Sequence, residues 1–300
     1  MPKKILVTYY SQTGQLEEIM KNIAGGFRDR SHFEITYYEI KLKEDFEFPW
    51  KPEVFYDTFP ESYLQVPREI IPPSEEILNT KYDLILFGYQ VWFLTPSIPV
   101  ISFLKSEFAE RLMAHTPVVT ISGTRNMWML SQDKLKVHLK RLQAELVGNI
   151  ALVDRHDNYT SVITILNWMQ TGNKEQKKPL PPAGVAQKEI DEAGKYGQII
   201  MKYAGSGSYG GMQKELVQNG AVEIRPFLIK VETVGNKLFT VFSGIIARKP
   251  QSRKFWVGVY KFYLMFAIWV VSPIVLFFYT LLTPFFYRKR KRQIEHYQGL

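Results

Sequence analysis

Residues 3 to 16, Lys-Lys-Ile-Leu-Val-Thr-Tyr-Tyr-Ser-Gln-Thr-Gly-Gln-Leu, constrain this chain more than any other stretch of it. An apolar strand (residues 5–10) runs straight into a turn that carries hydroxyls and a glycine, and a helical pattern (16–28) begins just beyond. Such a turn gathers unpaired backbone N–H groups and the hydroxyls of Ser11 and Thr13 around one small concavity. The helix N-terminus carries partial positive charge, so a phosphate placed there is held without lysine or arginine.

Apolar runs at 34–40, 84–88, 118–122 and 149–153 read as further strands, and 98–108, 132–146 and 188–204 as amphipathic helices. Alternation of this kind implies a doubly wound α/β fold, a five-stranded parallel sheet covered on both faces by helices. Ligands in such folds bind beyond the carboxyl ends of the strands, so each strand-end loop is a candidate contact. Residues 41–80 interrupt the alternation. They are rich in Pro, Phe, Tyr and Trp and long for a connection, so they are expected to pack over the domain or to cover a ligand. Residues 169–186, with Lys177-Lys178-Pro179-Leu180-Pro181-Pro182, read as a surface connection. The glycine–serine run at 205–211 reads as a flexible hinge, followed by a short helix at 212–219 and a strand at 222–232.

The chain contains no cysteine, which excludes disulfides, thiolate catalysis, iron–sulfur clusters and cysteine-ligated zinc. Redox chemistry would therefore need a bound organic cofactor, and no metal site is expected. The net charge of +9 is concentrated in two short basic runs, 248–254 and 288–292, which flank the most apolar part of the chain. A membrane surface explains that placement better than nucleic acid does. Between 255 and 287 only Lys261 is charged, and a straight crossing of hydrocarbon needs roughly 20 apolar residues. Ser272-Pro273 would kink a helix there, and Pro284 lies near its end. A single tilted span fits the length; a kinked hairpin with both ends cytoplasmic fits the charges. The N-terminal strand leaves no room for a signal peptide, so the globular part is expected on the cytoplasmic face of the cell membrane. The expected organisation is a sheet domain over 1–205, a small α/β segment and linker over 206–254, a membrane anchor over 255–287 and a basic tail over 288–300.

Three strand-end loops carry the candidate chemistry. Ser11, Gln12, Thr13, Gly14, Gln15 and Leu16 form the first. In the second, a strand ending Phe87-Gly88-Tyr89 leads into Gln90-Val91-Trp92-Phe93, where aromatic faces and backbone groups can wall a flat heterocycle. The third, Ser122-Gly123-Thr124-Arg125-Asn126-Met127-Trp128, has small residues that let the backbone approach a ligand, and a cation able to meet negative charge. Arg125, His156 and Tyr89 are the candidate catalytic groups, with Tyr159 a further possible acid; His156 is expected to be held by Asp157.

In order and position these loops resemble those of the flavodoxin-like superfamily, including its NAD(P)H:quinone reductase branch, over about residues 3–205. The resemblance implies FMN as cofactor. Its phosphate would lie at Ser11–Leu16 and its isoalloxazine against Val91, Trp92, Phe93 and residues 122–128, with NAD(P)H a possible reductant. Leu16 stands where the family pattern often has threonine. The start Tyr-Tyr-Ser-Gln-Thr-Gly-Gln-Leu, the Gly123–Trp128 loop and the apolar C-terminal segment together look like the dialkylresorcinol-biosynthesis family of aryl-polyene and flexirubin-type pathways. That likeness implies aromatisation of a lipid-like dialkyl-cyclohexane-1,3-dione made by a partner ketosynthase; a homo-oligomer is a possible assembly, and the sequence leaves the oligomeric state open. Quinone reduction and non-enzymatic electron carriage are the competing readings.

Overall fold

The computed structural model describes residues 2–29, 31–176, 178–282 and 286–300; Lys177 and Pro284 lie outside the described residues. In chain order the elements are β1 (Lys3–Tyr9), α1 (Gln15–Gly25), β2 (Phe33–Glu39), α2 (Pro52–Asp57), α3 (Phe59–Tyr63), α4 (Glu75–Asn79), β3 (Leu84–Tyr89), β4 (Val91–Trp92), β5 (Thr95–Pro96), α5 (Ile98–Leu104), α6 (Glu107–Met113), β6 (Pro117–Thr124), α7 (Met129–Arg141) and β7 (Glu145–Val153). The remainder is helical: α8 (Asn158–Thr171), α9 (Gln187–Asp191), α10 (Gly194–Ser206), α11 (Met212–Gln218), α12 (Pro226–Arg248), α13 (Arg253–Phe266), α14 (Ser272–Leu281) and α15 (Tyr287–Gln298).

Successive side chains of a strand point to opposite faces, and β1 uses this to feed two cores. Ile5, Val7 and Tyr9 join the layer built by α1, α10 and α11, whereas Leu6 joins the layer built by α5, α6 and α7. The main sheet is wholly parallel in the order β2-β1-β3-β6-β7. Numbering only those strands gives 2-1-3-4-5, the flavodoxin-like order, whose switch point lies between β1 and β3. The first two site loops leave the sheet at that point, and the third leaves the adjacent strand β6.

Several elements differ from the sequence expectation, each for a physical reason. Residues 222–232 are not a strand: Pro226 occupies the first turn of α12, a position that tolerates its missing N–H, and only Val222 bridges to Ala151 at the sheet edge. The stretch 98–108 divides into α5 and α6 because Ser106 caps a new helix by accepting from Ala109 N. Residues 205–211 close α10 through Gly207 and open α11 through Gly211, both with left-handed backbone.

The C-terminal helices close over the sheet domain. Met212 and Leu216 of α11 enter the core beside β7, and Phe239, Phe242 and Ile246 of α12 pack with Phe59 of α3 and Leu94. Tyr260 of α13 stacks face to face on Phe59 with ring centroids 3.7 Å apart, and neither side chain has exposed surface. Tyr297 of α15 lies 6.4 Å from Trp128 and donates a 3.0 Å hydrogen bond to Asp133.

Candidate functional site

The three predicted loops meet at one cavity of about 540 Å³. Gln12, Thr13, Gln15 and Leu16 line it from the first loop, Gln90 to Leu94 from the second, and Gly123, Thr124, Arg125 and Met127 from the third. The opposite wall comes from α8, α12 and the helices α13 and α14.

In the first loop Gly14 takes a left-handed conformation (φ 80°) at the N-cap of α1, with open space where a Cβ would stand. Ser11 Oγ accepts from Glu17 N at 3.2 Å, which leaves its hydrogen free to donate. Among the described residues, the backbone N–H groups of Gln12 to Leu16 donate to no other protein atom. This is a concave array of donors at a helix N-terminus, the arrangement that holds an anionic group. Gln15 pins the loop from behind, exchanging hydrogen bonds of 3.3 and 3.1 Å with the backbone of Val185. Leu16, 1% exposed, belongs to the core beneath Gly123 and also lines the cavity.

The second loop is a tight hairpin. β4 and β5 pair antiparallel, and the two linking residues, Phe93 (φ 48°) and Leu94 (φ 61°), are both left-handed. A two-residue hairpin of type I′ demands this of both central positions, which Asn-Gly normally fills; non-glycine residues cost on the order of 1–3 kcal/mol each. Packing holds the strain. Phe93 sits 5.0 Å from Phe55 and 5.4 Å from Phe59, and Lys134 Nζ donates to the Leu94 carbonyl at 3.1 Å. Burial lowers Lys134 to about 8, with Glu232 opposing. Trp92 is fixed edge-on against Phe46 (5.0 Å) and Trp50 (5.4 Å) of the aromatic insertion. Residues 41–80 thus both pack over the domain and supply Phe55 and Tyr56 to the cavity wall.

In the third loop an added Cβ on Gly123 would stand 2.6 Å from Ile19 Cδ1, so glycine is what lets this loop settle on α1. Arg125 donates to Asn158 Oδ1 (3.2 Å) and to Met127 Sδ (2.7 Å). Burial lowers its guanidinium from 12.5 to about 10, against the pull of Asp154 and Glu232, so it stays cationic at neutral pH. Glu232 of α12 is completely buried and accepts from Met129 N (3.3 Å) and Leu130 N (2.7 Å) at the start of α7, where Trp128 provides no side-chain cap. Burial raises this carboxyl from 4.5 to about 7.

Other predicted residues stand outside the cavity lining. Tyr89 is fully buried behind the loop, its hydroxyl donating to Gln132 Oε1 at 2.7 Å. Ser122 and Trp128 are also buried. His156 bonds through Nδ1 to Asp154 Oδ1 at 2.7 Å, so Asp154 is its holder, while Asp157 caps α8. Tyr159 stacks on Trp269 at 5.8 Å and reaches Ser272 Oγ at 3.4 Å. Sequence reasoning missed the contributions of α8 (Asn158, Val162, Ile165, Leu166) and of α12 (Val231, Val234, Leu238).

A flavin nucleotide fits these residues. Gln12 Nε2 and Gln90 Oε1 on the wall, and both amide atoms of Asn126 behind it, are buried without a hydrogen-bond partner in the protein. Unpaired buried polar groups cost about 1–3 kcal/mol each. A ligand with a phosphate at one end and a polar-edged ring at the other would engage both the donor array and the Gln12 and Gln90 amides on the wall.

No protein-family model and no curated protein sequence matches the chain. Among solved structures it is similar to a flavoprotein from Lactobacillus acidophilus in complex with FMN, at 19% identity and TM-score 0.37, covering 50% of this chain and 93% of that one. It is similar also to a flavodoxin from the domain Archaea (12% identity, TM-score 0.37, 67% of this chain and 98% of that one). A flavone reductase is a third likeness (12% identity, TM-score 0.36, 67% and 62%). The strand order and the placement of the loops identify the flavodoxin-like fold without these likenesses.

Proposed function

We propose that this chain is an FMN-dependent oxidoreductase acting on a lipid-like cyclic substrate at the cytoplasmic face of a membrane. The specific reaction proposed is aromatisation of a dialkyl-cyclohexane-1,3-dione, delivered by a ketosynthase of the same pathway, to a dialkylresorcinol. One observation carries this reading: a single cavity has the three strand-end loops on one side and helices of the apolar C-terminal segment on the other. A redox cofactor and a greasy substrate would meet there.

The donor array at Gln12–Leu16, with Ser11 and Thr13, would hold the phosphate, and Trp92 and Phe93 would flank the ring. FMN held by these residues would supply two-electron (hydride) acceptance, and the proton that the substrate ring also gives up would pass to solvent or to a base. A cyclic 1,3-dione is already acidic, so the protein need only favour its enolate, and the cationic Arg125 on the cavity wall does so. Aliphatic side chains of α8, α12 and α14 accommodate alkyl arms and exclude water.

The test is anaerobic. FMN-loaded protein in mixed micelles, given a dialkyl-cyclohexane-1,3-dione, should bleach its flavin absorbance in step with resorcinol formation. No bleaching with the dione, together with rapid reoxidation of NAD(P)H-reduced protein by a quinone, would replace this reading with quinone reduction.

A further inference from the structure

We infer that the apolar C-terminal segment lies in the plane of one leaflet, as a roof over the cavity, and does not cross the bilayer. This rests on the membrane reading above and goes beyond it, since that reading leaves a span and a hairpin equally open.

The segment from Pro250 to Leu281 has the length and composition of a span, yet it is laid along the domain. Tyr260 stacks on Phe59 at 3.7 Å, Tyr263 is 5.6 Å from Phe242, Trp269 is 5.8 Å from Tyr159, and Tyr279 is 5.4 Å from Phe227. From Tyr260 to Tyr279 is about 28 Å of helix at 1.5 Å per residue, close to the thickness of hydrocarbon. A crossing helix must leave its polar domain at the interface, whereas this one keeps contact with the domain over a full bilayer's length.

Two stripes explain why the sequence reads as a span. Leu264, Ile268, Val271, Ser272 and Val275 follow i, i+3/i+4 spacing and line the cavity. Val270, Ile274, Phe277 and Leu281 follow the same spacing away from the cavity lining and are exposed, as is Phe262. The helix is apolar all round because one face meets the protein and the other has no protein to meet; only 6% of its most apolar window is buried. An aromatic-rich apolar face flanked by cations is what an anionic leaflet receives. Arg253 holds one end to Asp57 and Glu61 (2.6 and 2.8 Å), and Arg290 donates to the Tyr279 carbonyl (2.8 Å) at the other. Helix α15, carrying the basic run, then returns to the domain through Tyr297.

The absence of cysteine makes the test direct. The variants Phe262→Cys, Ile274→Cys, Phe277→Cys and Leu281→Cys, at positions 69%, 52%, 66% and 63% exposed, remove little packing and take a nitroxide label. Full-length FMN-loaded protein is bound to vesicles of phosphatidylcholine with phosphatidylglycerol, and label depth is read by paramagnetic relaxation. In-plane insertion places all four at one shallow depth, roughly 5–10 Å below the headgroups. A label at Ile274 near the midplane, about 15 Å deep, with Phe262 and Leu281 shallow, would overturn the inference. In that case an impermeant maleimide distinguishes the alternatives on Ser252→Cys and Gly299→Cys: labelling of one site only indicates a span, and labelling of both a hairpin. Failure of the protein to float with the vesicles at all would instead remove the membrane reading on which the inference rests.

Discussion

Glu232 ties α12, on the cavity's far wall, to the start of α7 just after the third site loop, and its titration should be visible in the stability of the whole molecule. Burial lifts its carboxyl from 4.5 to about 7, against the two α7 N–H bonds and Arg125. A rise of that size corresponds to ~3 kcal/mol. Because the folded-state value lies above the unfolded one, the folded state binds the proton more tightly. The associated stability is complete below about pH 4.5 and is lost as pH rises through about 7. Glu232→Gln stays neutral throughout and keeps an amide oxygen facing Met129 N and Leu130 N. Near about pH 5 variant and wild type should differ little. Near about pH 8 the variant should be more stable by ~2 kcal/mol, which is the part of the ~3 kcal/mol of linkage that the wild type loses between those two pH values. Urea denaturation of detergent-purified protein at several pH values, followed by tryptophan fluorescence, reads this difference. A gap that does not change with pH, or a wild type that gains on the variant as pH rises, would refute the reasoning.

Replacing Ser11 and Thr13 together by alanine should weaken FMN binding at least ~10-fold while leaving circular dichroism unchanged, since two hydroxyls that donate to a charged group are lost; unaltered affinity in a fluorescence titration would count against the phosphate assignment. Tyr260→Ala should cost about 3–5 kcal/mol in the same denaturation assay, because a fully buried ring stacked on Phe59 is removed. Deleting residues 255–300 should for the same reason give an aggregating or flavin-poor product, and a soluble fragment with full flavin content would show the C-terminal helices to be dispensable. Tyr89→Phe should lose ~1 kcal/mol of stability through its bond to Gln132 and leave turnover unchanged, so a large drop in turnover would return Tyr89 to the chemistry.

The sheet was legible because buried parallel strands read as short apolar runs, and β1, β3 and β6 lie within two residues of where the sequence placed them. The loops were legible because each follows such a run. Helix α8 was not, since Thr160, Val162, Ile163, Thr164 and Ile165 are β-branched and lower helix propensity; Asp157 as N-cap and Gly172 as a left-handed C-cap were the readable signals. The start of α12 imitated a strand for the same reason, with Pro226 as the overlooked mark of a helix start. The role of Glu232, like the removal of Tyr89 from the cavity, depends on contacts between residues 43 to 103 positions apart, which no local pattern records. The apolar segment was legible as apolar, but composition does not say which face meets protein.

The measurement that bears most directly on the central claim is the visible spectrum of the full-length, detergent-purified protein, with acid release and identification of any bound flavin. The three-loop cavity predicts FMN at one equivalent per chain, or its uptake to that level from solution. A colourless protein that takes up no added FMN, though folded by circular dichroism, would contradict the redox account.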